Sequence, residues 1–405
     1  MDQGRSAGRR SGRGRGRPLT ATPARQPPSA PVRWRPALGA LPWLAFLAAV
    51  VAWPAGKLVF GHLNVPDLLG VLGSRYYAGR LAWSLVLAGG STLITLALGV
   101  PAAVAFERHD FPGKALLNVL LTLPFVVPLI VAATAILALL GPGGLLGLGW
   151  PLGPGLMLAA NTFYNYALVV RLTGAYLRGL GPRLEEAART LGSSPWRVFW
   201  RVTLPAARPG VAAAAALVFL YCFTSLGVPL VLGGGRYNTL EAEIYQLVAY
   251  RFRLAEAGSL ALAQLLVTLL AVWVYVSAQR RAPVGLDFPA RRPRPRGLGL
   301  AWLLANVLVA AAITAAPLVA LIARSLQSRG TWTLENYARA FAPPSGLFDV
   351  SVTAALAHTL GFAVLTLAVA LPLGLSVAVA AHAARSRGLD ALTLVPLGVS
   401  SVTVG

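Results

Sequence analysis

Long stretches without a single Asp, Glu, Lys or Arg alternate along this chain with short basic segments. The uncharged runs are Pro36 to Gly56, Leu81 to Phe106, Val211 to Leu232, Ser259 to Ala278, Gly297 to Ala323 and Ser351 to Ala381. Each supplies the ~20 apolar residues that a helix rising ~1.5 Å per residue needs to cross ~30 Å of hydrocarbon. A longer run, Ala115 to Val170, is interrupted by GPGGLLGLGWPLGPG (Gly141 to Gly155). Glycine and proline at that density mark a turn, so the run reads as two spans. The pattern predicts an all-α polytopic membrane protein with eight complete spans and a ninth beginning near Ala391.

Composition agrees with this reading. Of 405 residues 56% are hydrophobic and 12% charged, and the mean hydropathy is +0.67, which excludes an ordinary soluble domain. The net charge of +22 reports topology. With the N-terminus inside and each run crossing once, most of the 35 Lys and Arg fall on cytoplasmic segments, as the retention of positive charge on that side requires. The Arg/Gly/Pro-rich residues 1–36 therefore read as a disordered cytoplasmic topology anchor rather than a nucleic-acid-binding tail. Pro36 to Gly56 lacks a small-residue cleavage site and reads as a retained helix.

Catalytic chemistry has no foothold. Neither Gly56-Lys57 nor Gly113-Lys114 is followed by Ser or Thr, so no phosphate-binding loop is present. The lone Cys222 excludes an intrachain disulfide, and the four His are scattered away from metal-site spacing. The expectation is a protein that is not an enzyme and that carries no cofactor or metal.

One polar segment stands out among the spans, LEEAARTLGSSPWRVFWRVTLP, Leu184 to Pro205. Arg183 to Leu191 reads as a short helix led by Gly181-Pro182 and stopped at Gly192. Ser194-Pro195 caps a second helix, Pro195 to Val202, and Leu204-Pro205 closes the hairpin. Leu184, Ala187, Ala188 and Leu191 follow helical spacing along one apolar face. Small residues at its centre allow another surface to approach.

These residues resemble the EAA loop of the membrane subunits of binding-protein-dependent ABC importers. That pattern is EAA, three residues, Gly, nine residues, then Ile-x-Leu-Pro. Here it is met by Glu186, Ala187, Ala188, Gly192, Val202, Leu204 and Pro205, with Val in place of Ile. The resemblance implies a MetI-like importer transmembrane fold and a coupling helix that docks in a cytoplasmic ABC ATPase dimer. Its coupling residues are Glu185, Glu186, Ala187, Ala188, Gly192, Leu204 and Pro205. Glu186 would be the polar contact, Ala187 and Ala188 the close-packing face, and Gly192 the bend.

The segment Thr224 to Phe252 is similar to the outer end of the fifth span in fused permeases for thiamine and iron(III). There Gly233, Gly234 and Gly235 free the chain to turn, and Leu240 to Tyr250, with Glu243 and Tyr245, forms an external helix facing a solute-binding protein. Polar residues inside the spans, Tyr164, Asn165, Thr224 and Ser225, are candidates for lining a pathway.

An internal repeat aligns Leu81 to Gly113 with Leu356 to Gly388 at an offset of 275 residues, so that Gly99 faces Gly374. The expected organisation is a first permease domain over residues 37–278 with six spans and the coupling loop at 183–205. A basic linker over 279–297 and the start of a second permease domain over 298–405 follow. A second coupling loop would fall past the end, so the C-terminal repeat reads as truncated. Its missing half, or a second permease copy, becomes an expected partner beside the ATPase, the binding protein and membrane lipid. The whole reads as a multi-pass permease of the bacterial plasma membrane with a cytoplasmic N-terminus. The alternatives are a secondary transporter or channel, which should carry charged groups at the midplane, and a membrane assembly protein without a pathway.

Overall fold

The computed structural model describes residues 36–57, 69–71, 73–180, 182–279, 295–328, 330–342 and 351–384. The tail, most of the basic linker and the start of the ninth span lie outside them. Helix α1 (Pro36–Leu47) runs through a π turn (Ala48–Ala52) into Trp53–Lys57. The long α2 (Arg75–Arg108) follows, then α3 (Lys114–Val126), α4 (Leu129–Leu140) and α5 (Pro154–Leu180). The hairpin helices are α6 (Arg183–Thr190) and α7 (Pro195–Val198). A second π turn (Phe199–Thr203) leads into α8 (Leu204–Phe223), followed by α9 (Gly227–Leu232), α10 (Leu240–Ala249) and α11 (Leu254–Gln279). Beyond the linker come α12 (Leu298–Thr314), α13 (Ala316–Ser325), a two-residue β-hairpin (Gln327–Ser328 with Thr331–Trp332), α14 (Glu335–Ala340) and α15 (Val352–Ala384).

Among the described residues, five helical stretches are long and apolar enough to cross a bilayer, six if α3 and α4 count as one bent span. Helix α5 has 27 residues, about 40 Å of helix. It is more polar because it sits in the middle of the bundle, packed against α2, α8, α4 and α3.

Small residues set how closely these helices approach, as expected where lipid supplies no hydrophobic drive for association. A Cβ on Gly99 of α2 would stand 2.7 Å from Val169 Cγ1 of α5, and one on Gly210 of α8 would stand 2.6 Å from Tyr176 Cβ. Two buried hydroxyls of α2 are satisfied within their own helix: Thr92 donates to Ala88 O at 2.7 Å and Thr95 to Ser91 O at 2.6 Å. The core is alanine-rich where α2, α5 and α8 meet, with Ala102, Ala103, Ala105, Ala167 and Ala207 buried there.

Three expected elements take a different form. The run expected as a straight third span breaks between α3 and α4 with a 111° bend. Val127, the residue before Pro128, is extended at ψ 132°, because the proline ring disfavours helical geometry there. The fifth span, expected to run unbroken from Val211 to Leu232, ends at Phe223 and resumes at Gly227. The two breaks meet, since a Cβ on Gly227 would stand 3.2 Å from Leu129 Cβ and Ile130 Cγ1. Finally, the second hairpin helix does not close at Leu204-Pro205. It continues through the π turn into α8, making one helical stretch from Pro195 to Phe223.

Both π turns end two residues before a proline, Pro54 and Pro205. Proline lacks an N–H and its ring crowds the carbonyl four residues back. Closing the preceding turn five residues back relieves both problems: Trp53 N–H bonds Ala48 O, and Leu204 N–H bonds Phe199 O.

The repeat partner of α2, α15, forms a single 33-residue helix. Gly374 meets no neighbour within 4 Å, unlike Gly99. Helix α15 packs chiefly on α1 and is otherwise exposed along its described length.

Candidate functional site

The polar hairpin projects from one end of the bundle. Helix α6 ends as the spacing predicts, in a Schellman motif: Ser193 N–H bonds Ala188 O at 3.1 Å and Gly192 N–H bonds Arg189 O at 2.9 Å. Gly192 is left-handed at φ +83°, a conformation that costs a side chain steric strain. Ser194 then caps α7, its Oγ accepting from Arg197 N at 3.4 Å, with Pro195 in the first turn.

The apolar face expected for α6 is turned outward. Leu184 and Ala187 are exposed, Ala188 is half-buried, and Leu191 is 86% exposed. Glu186 is exposed beside them, whereas Glu185 is buried. Leu204 and Pro205 are half-buried at the root of α8. Glu185 accepts from Arg108 Nη2 at 2.9 Å and from Thr203 Oγ1 at 3.0 Å. It joins the hairpin to the bundle.

Sequence reasoning missed an aromatic group beside this face. The rings of Trp196 and Trp200 lie 5.5 Å apart, and Phe199 lies 6.3 and 5.3 Å from them. Trp196 is 67% exposed. The i, i+4 spacing of two tryptophans at a helix start was the available signal. Arg108 and Thr203 were missed for a different reason: nothing local to either predicts a partner 77 residues away in one case and 18 in the other.

At the opposite end, the glycine-rich turn after α4, the triple glycine and α10 come together. Gly234 and Gly235 are left-handed at φ +59° and +72°, and so turn the chain as expected, while Gly233 has φ −74°. A Cβ on Gly153 would stand 3.0 Å from Tyr237. Thr239 caps α10, accepting from Ala242 N at 3.4 Å. The expected external helix forms, but Glu243 faces inward. It accepts from Tyr76 OH at 2.9 Å and pairs with Arg80 at 3.6 Å and Arg251 at 3.3 Å. Tyr245 packs edge-on to Tyr250 at 5.8 Å, and the hydrogen bond between them raises the Tyr245 phenol above its ordinary pKa. The Glu243 contacts fasten α10 to the start of α2, and Gln264 Nε2 of α11 donates to Glu241 of α10.

The pathway candidates separate into two groups. Asn165 is buried, and its Nδ2 donates to Asn161 O at 2.9 Å and Cys222 Sγ at 3.4 Å. Ser225 is buried in the α8–α9 break, and Thr224 beside it donates to Leu220 O at 2.9 Å. Asn165 Oδ1 and Ser225 Oγ are buried without a hydrogen-bond partner among the described residues. Tyr164 is half-buried and faces Phe125 at 5.8 Å, which in turn lies 6.4 Å from Tyr221. On the same side, Arg171 reaches across to Thr122 Oγ1 and to Asn118 O at 3.2 Å. A stripe this polar is poorly matched to lipid. Among the described residues, no group of three or more His, Cys, Asp or Glu could hold a metal ion.

Comparison with known proteins gives these features their setting. Residues 95–282 match the family of binding-protein-dependent transport system inner membrane components. The sulfate transport system permease protein CysW of Synechocystis sp. is 33% identical over 216 residues, covering 50% of this chain and 78% of that protein. The thiamine transport system permease protein ThiP of Brucella abortus is 31% identical over 301 residues, covering 69% of this chain and 54% of that protein. The chain thus spans about half the length of its thiamine relative. A chain of a bacterial ABC transporter involved in the import of the acidic polysaccharide alginate superposes with a TM-score of 0.52 at 16% identity, over 61% of this chain and 96% of that one. That likeness establishes the MetI-like fold. With both the matched region and the fold in place, this multi-pass chain belongs to the inner membrane components of binding-protein-dependent transport systems.

Proposed function

We propose that this chain is the membrane permease of an ATP-driven importer, with the hairpin end in the cytoplasm and the α10 end outside. The observation that carries the reading is the hairpin itself. Leu184, Leu191 and Trp196 are exposed apolar residues next to the exposed Glu186, on a Schellman-terminated helix that holds one shape. An ATPase dimer would grip that face, while a solute-binding protein delivers solute to the opposite end. The solute would pass along the stripe of Tyr164, Tyr221 and Phe125, beside the two broken spans. A second permease half or copy would complete the pathway, and lipid would cover the exposed apolar residues of α11.

The pathway assignment moves weight from Asn165 and Ser225 to Tyr164, because side chains this deeply buried meet a solute only when the bundle opens. For the cargo, thiamine is the first solute to try, since the thiamine relative matches 69% of this chain and the sulfate relative 50%. Sulfate and iron(III) are the comparison solutes. The test is uptake into vesicles holding the chain, its ATPase and its binding protein. The expected result is ATP-dependent accumulation that is abolished by Glu186→Arg. Accumulation driven by an ion gradient without ATP would refute the reading.

A further inference from the structure

The junction beneath the hairpin joins three elements at one carboxylate oxygen of Glu185, and a fourth through Arg108. Arg108, the last residue of α2, donates Nε at 3.1 Å and Nη2 at 2.9 Å to Glu185 Oε1. Thr203, the last residue of the π turn, donates Oγ1 to the same oxygen at 3.0 Å. Arg108 Nη1 also donates to Leu177 O, in the last turns of α5, at 3.4 Å. A second tie runs parallel to the first, between Arg178 of α5 and Glu107 of α2.

Burial separates the two neighbouring acids. Glu185 is 6% exposed and its partner Arg108 retains 13% side-chain exposure, while Glu186 is exposed. A buried carboxylate held by three charge-assisted or hydroxyl donors is stiff in position, because releasing it leaves a charge unpaired in a poorly hydrated place. An exposed carboxylate one residue later is free to meet another protein. Adjacent positions on a helix point about 100° apart, so one acid faces the bundle and the other faces away.

From this geometry we infer that Glu185 is a positioning residue that fastens the coupling hairpin to α2 and to the root of α8, so that movement of the hairpin displaces both helices together. The inference rests on the proposed importer function and deepens it: Glu186 belongs to the ATPase contact, and Glu185 to the transmission behind it. The π turn is part of the device. Pro205 prevents ordinary α-helical closure just before α8, and the wider turn is what presents Thr203 to Glu185. Movement passed to α8 reaches the Thr224 to Leu226 break, and through Gly227 the start of α4.

The test uses the full chain co-expressed with its ATPase. Four chains are compared: native, Glu185→Gln, Thr203→Val and Glu186→Arg. Co-purified ATPase is quantified, and amide exchange is followed at the hairpin, at the end of α2 (Ala103 to Arg108) and through the π turn, with and without ATP plus vanadate. Glu185→Gln and Thr203→Val are expected to retain the ATPase and the nucleotide response of the hairpin. The response at the end of α2 should fall by roughly tenfold in Glu185→Gln, the factor that follows from losing a charge-assisted hydrogen bond. Glu186→Arg should instead lose the ATPase.

Two results overturn the inference. Loss of the ATPase from Glu185→Gln to the same extent as from Glu186→Arg would make Glu185 a docking contact. A native-sized response of α2 in Glu185→Gln would mean that the hairpin transmits by another route. Should Glu185→Gln fail to fold, Thr203→Val decides, because it leaves the ion pair intact: an unchanged response through the π turn overturns the inference, and a reduced one supports it. A native chain that holds no ATPase brings down the importer reading and this inference with it.

Discussion

Gly192 carries the shape of the hairpin through a single backbone angle. Nothing lies within 4 Å of where its Cβ would stand, and φ is +83°, so a substitution there is opposed by backbone strain and not by crowding. Gly192→Ala should cost about 1–2 kcal/mol of hairpin stability and Gly192→Asn less. Amide protection of Ala188 to Ser193 measures both. Gly99 is the opposite case, with φ in the helical range and Val169 only 2.7 Å from the virtual Cβ. Gly99→Ala should lower the thermal midpoint in detergent through about 1–3 kcal/mol of overpacking, and Val169→Ala should relieve it. If the double variant is no more stable than the single, the close approach is not what Gly99 provides. Both glycines were visible in the sequence, Gly192 by its place in the EAA spacing and Gly99 by the internal repeat. What could not be read was which of two adjacent acids faces inward, because that depends on Arg108 from another helix.

Among the elements, prolines mark the places where an apolar run departs from a straight span. Ala115 to Val170 was read correctly as interrupted at Gly141 to Gly155, where glycines take positive φ, but the bend at Val127-Pro128 lies in a stretch with no polar residue to signal it. Pro124 and Pro128 were the available sign. The hairpin was legible up to Val198 because caps are local, and Ser194, Pro195 and Gly192 behave as their types require. Its far end was not, because Leu204-Pro205 reads as a stop and acts as the reason for a π turn. Pro205→Ala restores an N–H at that position and lets the turn close in α register, rotating the chain before it by about 100° relative to α8. The expected outcome is new amide protection at position 205, loss of the Thr203–Glu185 hydrogen bond and weaker uptake with ATPase binding retained. An unchanged exchange pattern through Phe199 to Thr203 would show that something other than the proline sets the turn.

At the scale of the whole molecule, the alternation of uncharged runs with basic segments predicts the two-ended arrangement that the helices adopt. The hairpin, the end of α2 and the end of α5 gather at one end. The glycine-rich turn, α10 and the β-hairpin region gather at the other, where Arg324 donates to Gly143 O. A bilayer leaves long apolar runs few alternatives to helix. Hydropathy marked eight complete runs, and among the described residues five helical stretches, or six with the bent α3–α4 pair, are long and apolar enough to cross. It could not show that α5, with its Asn161, Asn165 and Arg171, is the central helix of the bundle, since only packing reveals what surrounds it. Nor could it place the Tyr164 stripe, which three different helices and their tilts assemble. The central claim is that the exposed hairpin is an ATPase dock. Its most direct measurement is co-purification of the ATPase with the detergent-solubilised chain, comparing the native sequence with Glu186→Arg and Trp196→Ala. The account predicts that the native chain brings the ATPase down, that Glu186→Arg loses it, and that Trp196→Ala weakens it by roughly tenfold or more, as removal of an exposed aromatic anchor does at protein interfaces. Equal recovery of the ATPase with all three chains would contradict it.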